Sequence, residues 1–326
     1  MSAISADTEF QALRALSADL GRNRFRTQGA GGNTSIKRDG AMWIKASGRQ
    51  LAEALERDIM LPVTLEDLKA AALQNDSAAD SAAAFVIDGL NPAQLSPSIE
   101  TSVHAIIPHA VVAHIHCVET IALAVRDNAS ELIGERLRGL AEIVWSFVPY
   151  RRPGLPLAHA IIESAAPHSN VLILGNHGLV ISGASVGEVA YLTERVCNAL
   201  SAEPRATPLA DISALENLAA GSKYRLPRHA ETHALALDPA SLALARGASL
   251  YPDHVIFLGA GAVEAPDIET GWATRLEGGP DRPPLMLVLP GKRVVLHHSA
   301  SAAADGMAIA LVGVFAVYTL SVIRKP

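Results

Sequence analysis

The chain has 326 residues, with 27 Lys and Arg against 33 Asp and Glu and no long run of either sign, so it lacks the electrostatic footprint of a nucleic-acid partner. Apolar residues make up 49% and charged residues 18%, which excludes disorder as a reading of the whole chain. Aromatic residues are few, at 6 Phe, 5 Tyr and 3 Trp, so close-packed, alanine-rich helices are expected and a base-stacking platform is not.

Cys117 and Cys197 lie in apolar surroundings and belong to no CxxC pair, the pattern of buried thiols in a reducing compartment. The opening MSAISADTEFQAL carries two acids and no basic-then-apolar sequence, which predicts a cytoplasmic protein without a secretory signal. Met307 to Ile323 is uncharged and is followed by Arg324 and Lys325. It falls short of the ~20 apolar residues of a comfortable membrane span and contains Thr319 and Ser321, so a buried terminal helix and no membrane partner are expected.

Asp7 to Asn23 places Phe10, Leu13, Leu16 and Leu20 at three- and four-residue spacing, predicting an amphipathic helix ended by Gly21. Thr27 to Gly32 reads as a flexible turn. Short strands are expected at Asn33 to Ile36 and Met42 to Lys45 around an Arg38-Asp39-Gly40 turn, with a second loop at Ala46-Ser47-Gly48. Gln74 to Ala84 is small and polar, a surface connection or helix edge. From Ser96 a Ser-Pro start leads into a helix through His104 to Ile107, a stop at Pro108 and a β-branched strand, Val111 to Ile115. A second buried strand, Val171 to Leu174, ends in Gly175-Asn176-His177-Gly178, and a helix follows over Val186 to Leu200. This alternation places roughly the first 200 residues in the α/β or α+β classes. Beyond Ser201 the segments are punctuated by proline, with strands expected at Val255 to Leu258, Leu285 to Leu289 and Val294 to His297. Gly259-Ala260-Gly261 lacks the third glycine of a dinucleotide fingerprint, and a hydride-transfer enzyme would rest on it alone.

The chemistry concentrates in a few residues. In a strand His114 and His116 point to the same side, which brings two ligands to one ion or leaves two polar residues on a sheet face. His177 sits at a strand end, where sites of α/β sheets assemble, and three histidines with an open position form the catalytic zinc pattern. Glu100 lies in the first turn of its predicted helix, either as a carboxylate favouring the positive helix end or as a general base beside a metal. His104, one turn along, is expected to pack or hydrogen-bond. Gly31-Gly32-Asn33-Thr34-Ser35 and Ser47-Gly48 present small side chains and amides that suit phosphate or another anion, or form ordinary turns.

In order, GGNTSIK, the ASG loop, PSIET, HIH and NHG resemble the class II aldolase/adducin family over Glu9 to Leu200. The resemblance implies an α/β fold: a three-layer α/β/α domain with a central, mainly antiparallel sheet over residues 1–205, plus a smaller C-terminal α+β extension over 206–326. It implies that His114, His116 and His177 bind zinc or another divalent metal, that Glu100 is the catalytic base, and that Gly32, Asn33, Ser47, Gly48 and Ser98 hold the substrate and its phosphate. The implied activity is that of a metal-dependent aldehyde-lyase, cleaving a ketose phosphate or related sugar or hydroxy acid by a retro-aldol reaction through a metal-stabilised enediolate. The implied assembly is a homotetramer. Where the phosphate-binding aldolases commonly carry a second serine, this chain has Ile99, which cannot donate a hydrogen bond, so an unphosphorylated sugar or sugar acid is an alternative substrate. Longer relatives fuse this domain to a dehydrogenase, for which the chain is too short. Ribulose-phosphate 4-epimerases and sugar-acid decarboxylases resemble the same family, the epimerases tending to carry aspartate where Glu100 stands. Adducin itself offers a non-enzymatic interaction module as the third reading.

Overall fold

The structure is a computed structural model that describes residues 3–207, 210–211, 215, 221–246, 249–259, 262–273 and 283–317. The chain divides into two compact units, one of Met1–Ala124 with Asn128–Ser201 and the other of Val125–Asp127 with Ala202–Pro326.

The first unit is built on a seven-stranded sheet. Its strands are β1 (Asn33–Arg38), β2 (Ala41–Lys45), β3 (Met60–Thr64), β4 (Val111–Ile115), β5 (Trp145–Val148), β6 (Val171–Leu174) and β7 (Gly178–Gly183), in the order β3-β2-β1-β4-β7-β6-β5. Every neighbouring pair is antiparallel except β5 with β6. The short apolar runs of β3, β5 and β7 escape a reading by pattern, because Pro62 interrupts β3 and glycines bound β7, both of which demote a strand assignment.

Strand alternation decides which helices cover which face. Val111, Ala113 and Ile115 of β4 join one core cluster with Phe10 and Leu13 of α1 (Thr8–Arg22), Leu123 of α5 (Val118–Ala124), Ile133 of α6 (Ala129–Leu137) and Val189 of α8 (Val186–Leu200). The opposite face carries Val112 of β4 and Val180 of β7, packed against α4 (Thr101–Ile106) and α7 (Leu155–Ser164), while Ile44 and Leu61 pack with Leu68 of α2 (Leu65–Leu73). Helices on both faces make the α/β/α sandwich with a mainly antiparallel centre. His114 belongs to the second face, beneath α4.

The opening helix starts where the pattern placed it, with Asp7 as N-cap accepting from Phe10 N at 2.9 Å, but Gly21 does not end it. The helix runs on to Arg22, and Gly21 instead lets it approach the segment after β2: a Cβ at Gly21 would fall 2.0 Å from Ala52 N. Glu100 is the N-cap of α4, not part of its first turn, and its side chain makes no capping bond. Gln74 to Ala84 contains the short helix α3 (Ala78–Ser81) and the start of a 3-10 turn at Ala83–Phe85.

The second unit carries a four-stranded sheet of β8 (Tyr224–Arg225), β9 (Val263–Glu264), β10 (Met286–Leu289) and β11 (Arg293–His297), in the order β8-β11-β10-β9. Val255 to Leu258, expected as a strand, is helical over Pro252–Leu258. Proline at the first helical position has the φ a helix needs, Tyr251 caps with extended backbone and Gly259 closes the turn, so these flanking residues outweigh four apolar side chains that fit either structure. Gly259 therefore follows a helix, and Ala260 and Gly261 lie outside the described residues. A 16-residue helix, Ala302–Val317, buries most of the apolar C-terminal segment, whose remaining residues lie outside those described. Among the described residues no helix is long and apolar enough to cross a membrane.

Gly21 supplies a test of this packing. Gly→Ala in an exposed helix interior stabilises by about 1 kcal/mol. Here Gly21→Ala is expected to destabilise by about 1–3 kcal/mol, the cost of overpacking, read as a lower urea midpoint at unchanged slope.

Candidate metal centre and active site

Register assembles the site. Asn33 of β1 lies directly opposite His114 of β4, and His114 opposite Val180 of β7, so these side chains share the face that α4 covers. His116 follows β4 by one residue and, by alternation, returns to the same face. The tight turn from β6 to β7 brings His177 in from a third direction: His177 N donates to Leu174 O at 3.1 Å, and Asn176 takes the left-handed conformation with φ 52°. Glu100 enters from above at the start of α4.

These four side chains are all buried, and one ligand atom from each lies within 4.8 Å of every other. The Nε2 atoms of His114 and His116 are 3.0 Å apart, and Glu100 Oε1 stands 3.4 Å from His114 Nε2 and 3.3 Å from His177 Nε2. A tetrahedral site with ~2.05 Å bonds to nitrogen has donor-to-donor edges of ~3.3 Å, close to three of the distances here, while the whole set of ligand atoms spans up to 4.8 Å. His114 Nδ1 donates to Leu179 O at 3.2 Å, which leaves the lone pair on Nε2 and turns it inward. At 3.0 Å, His116 Nε2 is within hydrogen-bond reach of the His114 Nε2 lone pair, and a cation could take the place of the proton between them. This Glu/His3 cluster is of the kind that holds a divalent metal.

Electrostatics point the same way. Burial, the largest influence, pushes His114 well below the usual imidazole value and keeps the ring neutral, the form a metal ligand needs. Burial, the largest influence, works to raise the pKa of Glu100, any positive charge on the facing His114, His177, His116 and His104 rings works to lower it, and the net direction is down. The carboxylate is ionised. Its Oε2 accepts from Asn33 Nδ2 at 2.9 Å, while the buried Oε1 has no hydrogen-bond partner and is left facing the imidazoles.

The loop residues divide into two groups. Asn33 and Ser98 are brought to Glu100: Ser98 Oγ accepts from Asn33 Nδ2 and from Glu100 N, each at 3.3 Å. Gly32 backs the cluster, since a Cβ there would come within 2.9 Å of His114 O. Ser47 and Gly48 form an exposed turn tied to the segment before Ser98 by Ser47 N donating to Ser96 O at 2.8 Å. His104 is outside the cluster and bonds Ser35 Oγ through Nδ1 at 2.7 Å.

Four residues support the site in ways a motif reading does not give. Lys45, 1% exposed, donates to Ala30 O at 2.7 Å and Arg49 O at 2.8 Å, joining the two glycine loops from beneath. Gln28 Nε2 donates to His116 O at 3.3 Å, and Ser35 holds His104. At Gly178 a Cβ would lie 2.5 Å from Ile115 O and within 3.4 Å of the His114 and His116 rings, so the glycine of NHG makes room for the other two histidines. Ser35 and Gly178 had a signal in the sequence, Ser35 as the end of the Gly31-to-Ser35 stretch and Gly178 by its place beside His177, though not for these roles.

With this geometry in hand, comparison is decisive at the level of family: the Class II Aldolase and Adducin N-terminal domain matches residues 11–203. The chain belongs to this family. A curated relative, the "Uncharacterized oxidoreductase YuxG" of Bacillus subtilis (strain 168), is 32% identical over 190 residues, covering 53% of this class II aldolase family chain but 26% of the relative, so the chain spans about a quarter of that protein. Among solved structures, the N-terminal class II aldolase domain of a conserved Thermoplasma acidophilum protein is similar at TM-score 0.49 and 24% identity, covering 60% of this chain and 92% of that one. The l-fuculose-1-phosphate aldolase of Thermus thermophilus is similar at TM-score 0.40 and 18% identity, covering 58% and 89%.

The neutral, buried His104 gives a pH prediction. Burial lowers its pKa to about 3, so between about pH 6.5 and 3 the unfolded chain binds a proton there that the folded chain refuses. Stability must then fall as pH drops through that window, by up to ~1.4 kcal/mol per pH unit for this group. Urea midpoints measured from pH 7.5 to 4.5 are expected to decline less steeply in His104→Asn than in the parent protein.

Proposed function

We propose that this protein is a metal-dependent aldehyde-lyase that cleaves a ketose phosphate, or a related sugar or hydroxy acid, by a retro-aldol reaction. The observation that carries the reading is the ionised Glu100 carboxylate, buried at tetrahedral-edge distance from two imidazole nitrogens with one oxygen uncommitted.

His114, His116 and His177 would hold the ion, zinc by preference, through Nε2. When bound, the metal supplies Lewis acidity toward a carbonyl or hydroxyl oxygen. The chain's own groups do the rest. Asn33 and Ser98 fix Glu100 so that Oε1 moves a proton at the carbon next to the substrate carbonyl. In cleavage the C–C bond breaks, its electron pair stays on that carbon, and Glu100 delivers the proton there; in condensation Glu100 removes it. The hydroxyl-bearing fragment gives its hydroxyl proton to the ionised Glu100 as it becomes the second carbonyl product, and this is the proton that Glu100 then delivers to the carbon. Burial of all four side chains excludes bulk water from this step.

Ile99 bears on the substrate. It is 48% exposed beside Glu100, an apolar side chain where a hydroxyl would grip phosphate, which favours an unphosphorylated sugar or sugar acid within the same reaction class. Glutamate at position 100 favours cleavage over the epimerase alternative. A purely structural module would gain nothing from packing a carboxylate against imidazoles away from water, an arrangement that costs stability unless compensated. A homotetramer in the cytoplasm is the assembly and setting we propose for it.

Three measurements test this reading. Glu100→Gln is expected to keep stoichiometric metal by elemental analysis and lose at least ~100-fold in turnover, the usual share of a general base; retained turnover would remove Glu100 from the mechanism. His114→Ala combined with His177→Ala should leave a folded protein without metal, and unchanged metal content would overturn the assignment. Across a panel of ketose 1-phosphates, pentulose 5-phosphates and sugar acids, Ile99→Ser should lower KM for phosphorylated substrates and leave it unchanged for sugar acids.

A further inference from the structure

The second unit contains a cavity of about 670 Å³ that shares no residue with the histidine cluster. Strand alternation puts Arg293, Val295 and His297 of β11 on one face of the four-stranded sheet, and Tyr224 of β8 pairs directly with His297. The helix Ile268–Ala273 covers that face, with Trp272 stacked on His297 at 5.4 Å and 16° and edge-on to Tyr224 at 6.2 Å. Lys223, Tyr224, Asp267, Glu269, Trp272 and Arg293 line the space. Trp272 is 36% exposed and gives the cavity its accessible aromatic surface, with Tyr224 fully buried behind it.

Arg293 is the unusual member. The other described arginines beyond Ala202 each face a carboxylate: Arg205 with Asp238, Arg225 with Asp305 and Arg246 with Glu264 at 2.6 Å, and Arg228 with Asp305 at 3.8 Å. Arg293 is 6% exposed and has no such partner among the described residues. Among the described residues its buried Nε has no hydrogen-bond partner, and Nη1 makes a long bond to Leu215 O at 3.5 Å. Burial accordingly pushes its pKa down, where Glu264 raises that of Arg246. A buried guanidinium without a counter-charge is costly and calls for an anion. The cavity's acids do not supply it: Asp267 and Glu269 are exposed at the rim, where water screens them, and Asp267 Oδ1 already accepts from Thr270 N at 2.8 Å. Lys223, also at the rim, holds its ammonium 3.9 Å over the Trp272 ring.

We propose that this cavity binds a small organic anion, its carboxylate or phosphate held by the Arg293 guanidinium and its flat or apolar body set against Tyr224 and Trp272. The volume falls within the range of small-molecule sites, and the planar fork of arginine takes either anion with two parallel hydrogen bonds. Lys223 adds attraction at the mouth. The site is independent of the lyase reading and stands or falls separately from it.

The test uses the full chain with phenyl phosphate, benzoate and inorganic phosphate as probes, followed by isothermal titration and by Tm. Saturable binding at millimolar concentrations or below, with a matching rise in Tm, is expected for phenyl phosphate or benzoate. The preferred probe of the two tells phosphate from carboxylate, and inorganic phosphate should bind more weakly than either. Arg293→Gln should weaken binding at least tenfold, Lys223→Met severalfold, and the His114→Ala, His177→Ala double variant not at all. If Arg293→Gln does not fold, Lys223→Met and Trp272→Ala carry the test, each being expected to weaken the preferred probe. Absence of saturable binding for all three probes, binding indifferent to these cavity variants, or binding lost in the histidine double variant would each overturn the proposal.

Discussion

Three imidazole nitrogens and a carboxylate oxygen, packed within 4.8 Å of one another beneath a helix and away from water, are the arrangement around which the first unit is organised. Left to themselves they are unfavourable neighbours, because a buried carboxylate and buried imidazoles lose their hydration. The fold holds them there with groups that leave little freedom. Leu179 O fixes one ring, Asn33 and Ser98 hold the carboxylate, and Gln28 braces the backbone at His116. A divalent cation would turn each of these unfavourable contacts into a favourable one.

The sheet makes this arrangement compact. Because β1, β4 and β7 are adjacent and antiparallel, Asn33, His114 and Val180 fall in one row without any loop having to reach. Residues one step out of phase, such as Ala113 and Ile115, go to the other face and fill the core under α1, α5 and α8. A one-residue slip of β4 would exchange the two sets, putting a histidine in the hydrocarbon core and an alanine or isoleucine in the site, so register is enforced by burial on both sides. The same close fit explains Gly178, where room for a side chain has been given to the His114 and His116 rings.

Charge is handled differently in the two units. In the first, ionisable groups are buried where they face one another. In the second, the described arginines other than Arg293 each face a carboxylate, with Asp305 buried between Arg225 and Arg228, and Arg293 stands apart as a cation set into a cavity wall. The contrast is between a site complete within its own side chains save for a cation and a cavity whose charge calls for a partner from outside.

By itself the sequence determined the family-level architecture and the membership of the cluster. HxH in a strand dictates a shared face, the position of NHG after a buried strand dictates a turn, and the order of the short motifs is legible without coordinates because each depends on local backbone geometry. It did not determine that the run Val255 to Leu258 is helical, since four apolar residues satisfy either period and the flanking Pro252 decides. Nor did it separate the loop residues: that Asn33 and Ser98 turn to Glu100 while Ser47 and Gly48 face solvent depends on which strand lies opposite which. The buried anchor Lys45, the close approach at Gly21 and the burial of Arg293 without a carboxylate partner among the described residues are likewise products of tertiary structure. Local periodicity is written in neighbouring residues, whereas burial and partnership depend on residues tens of positions away, and only folding brings those together.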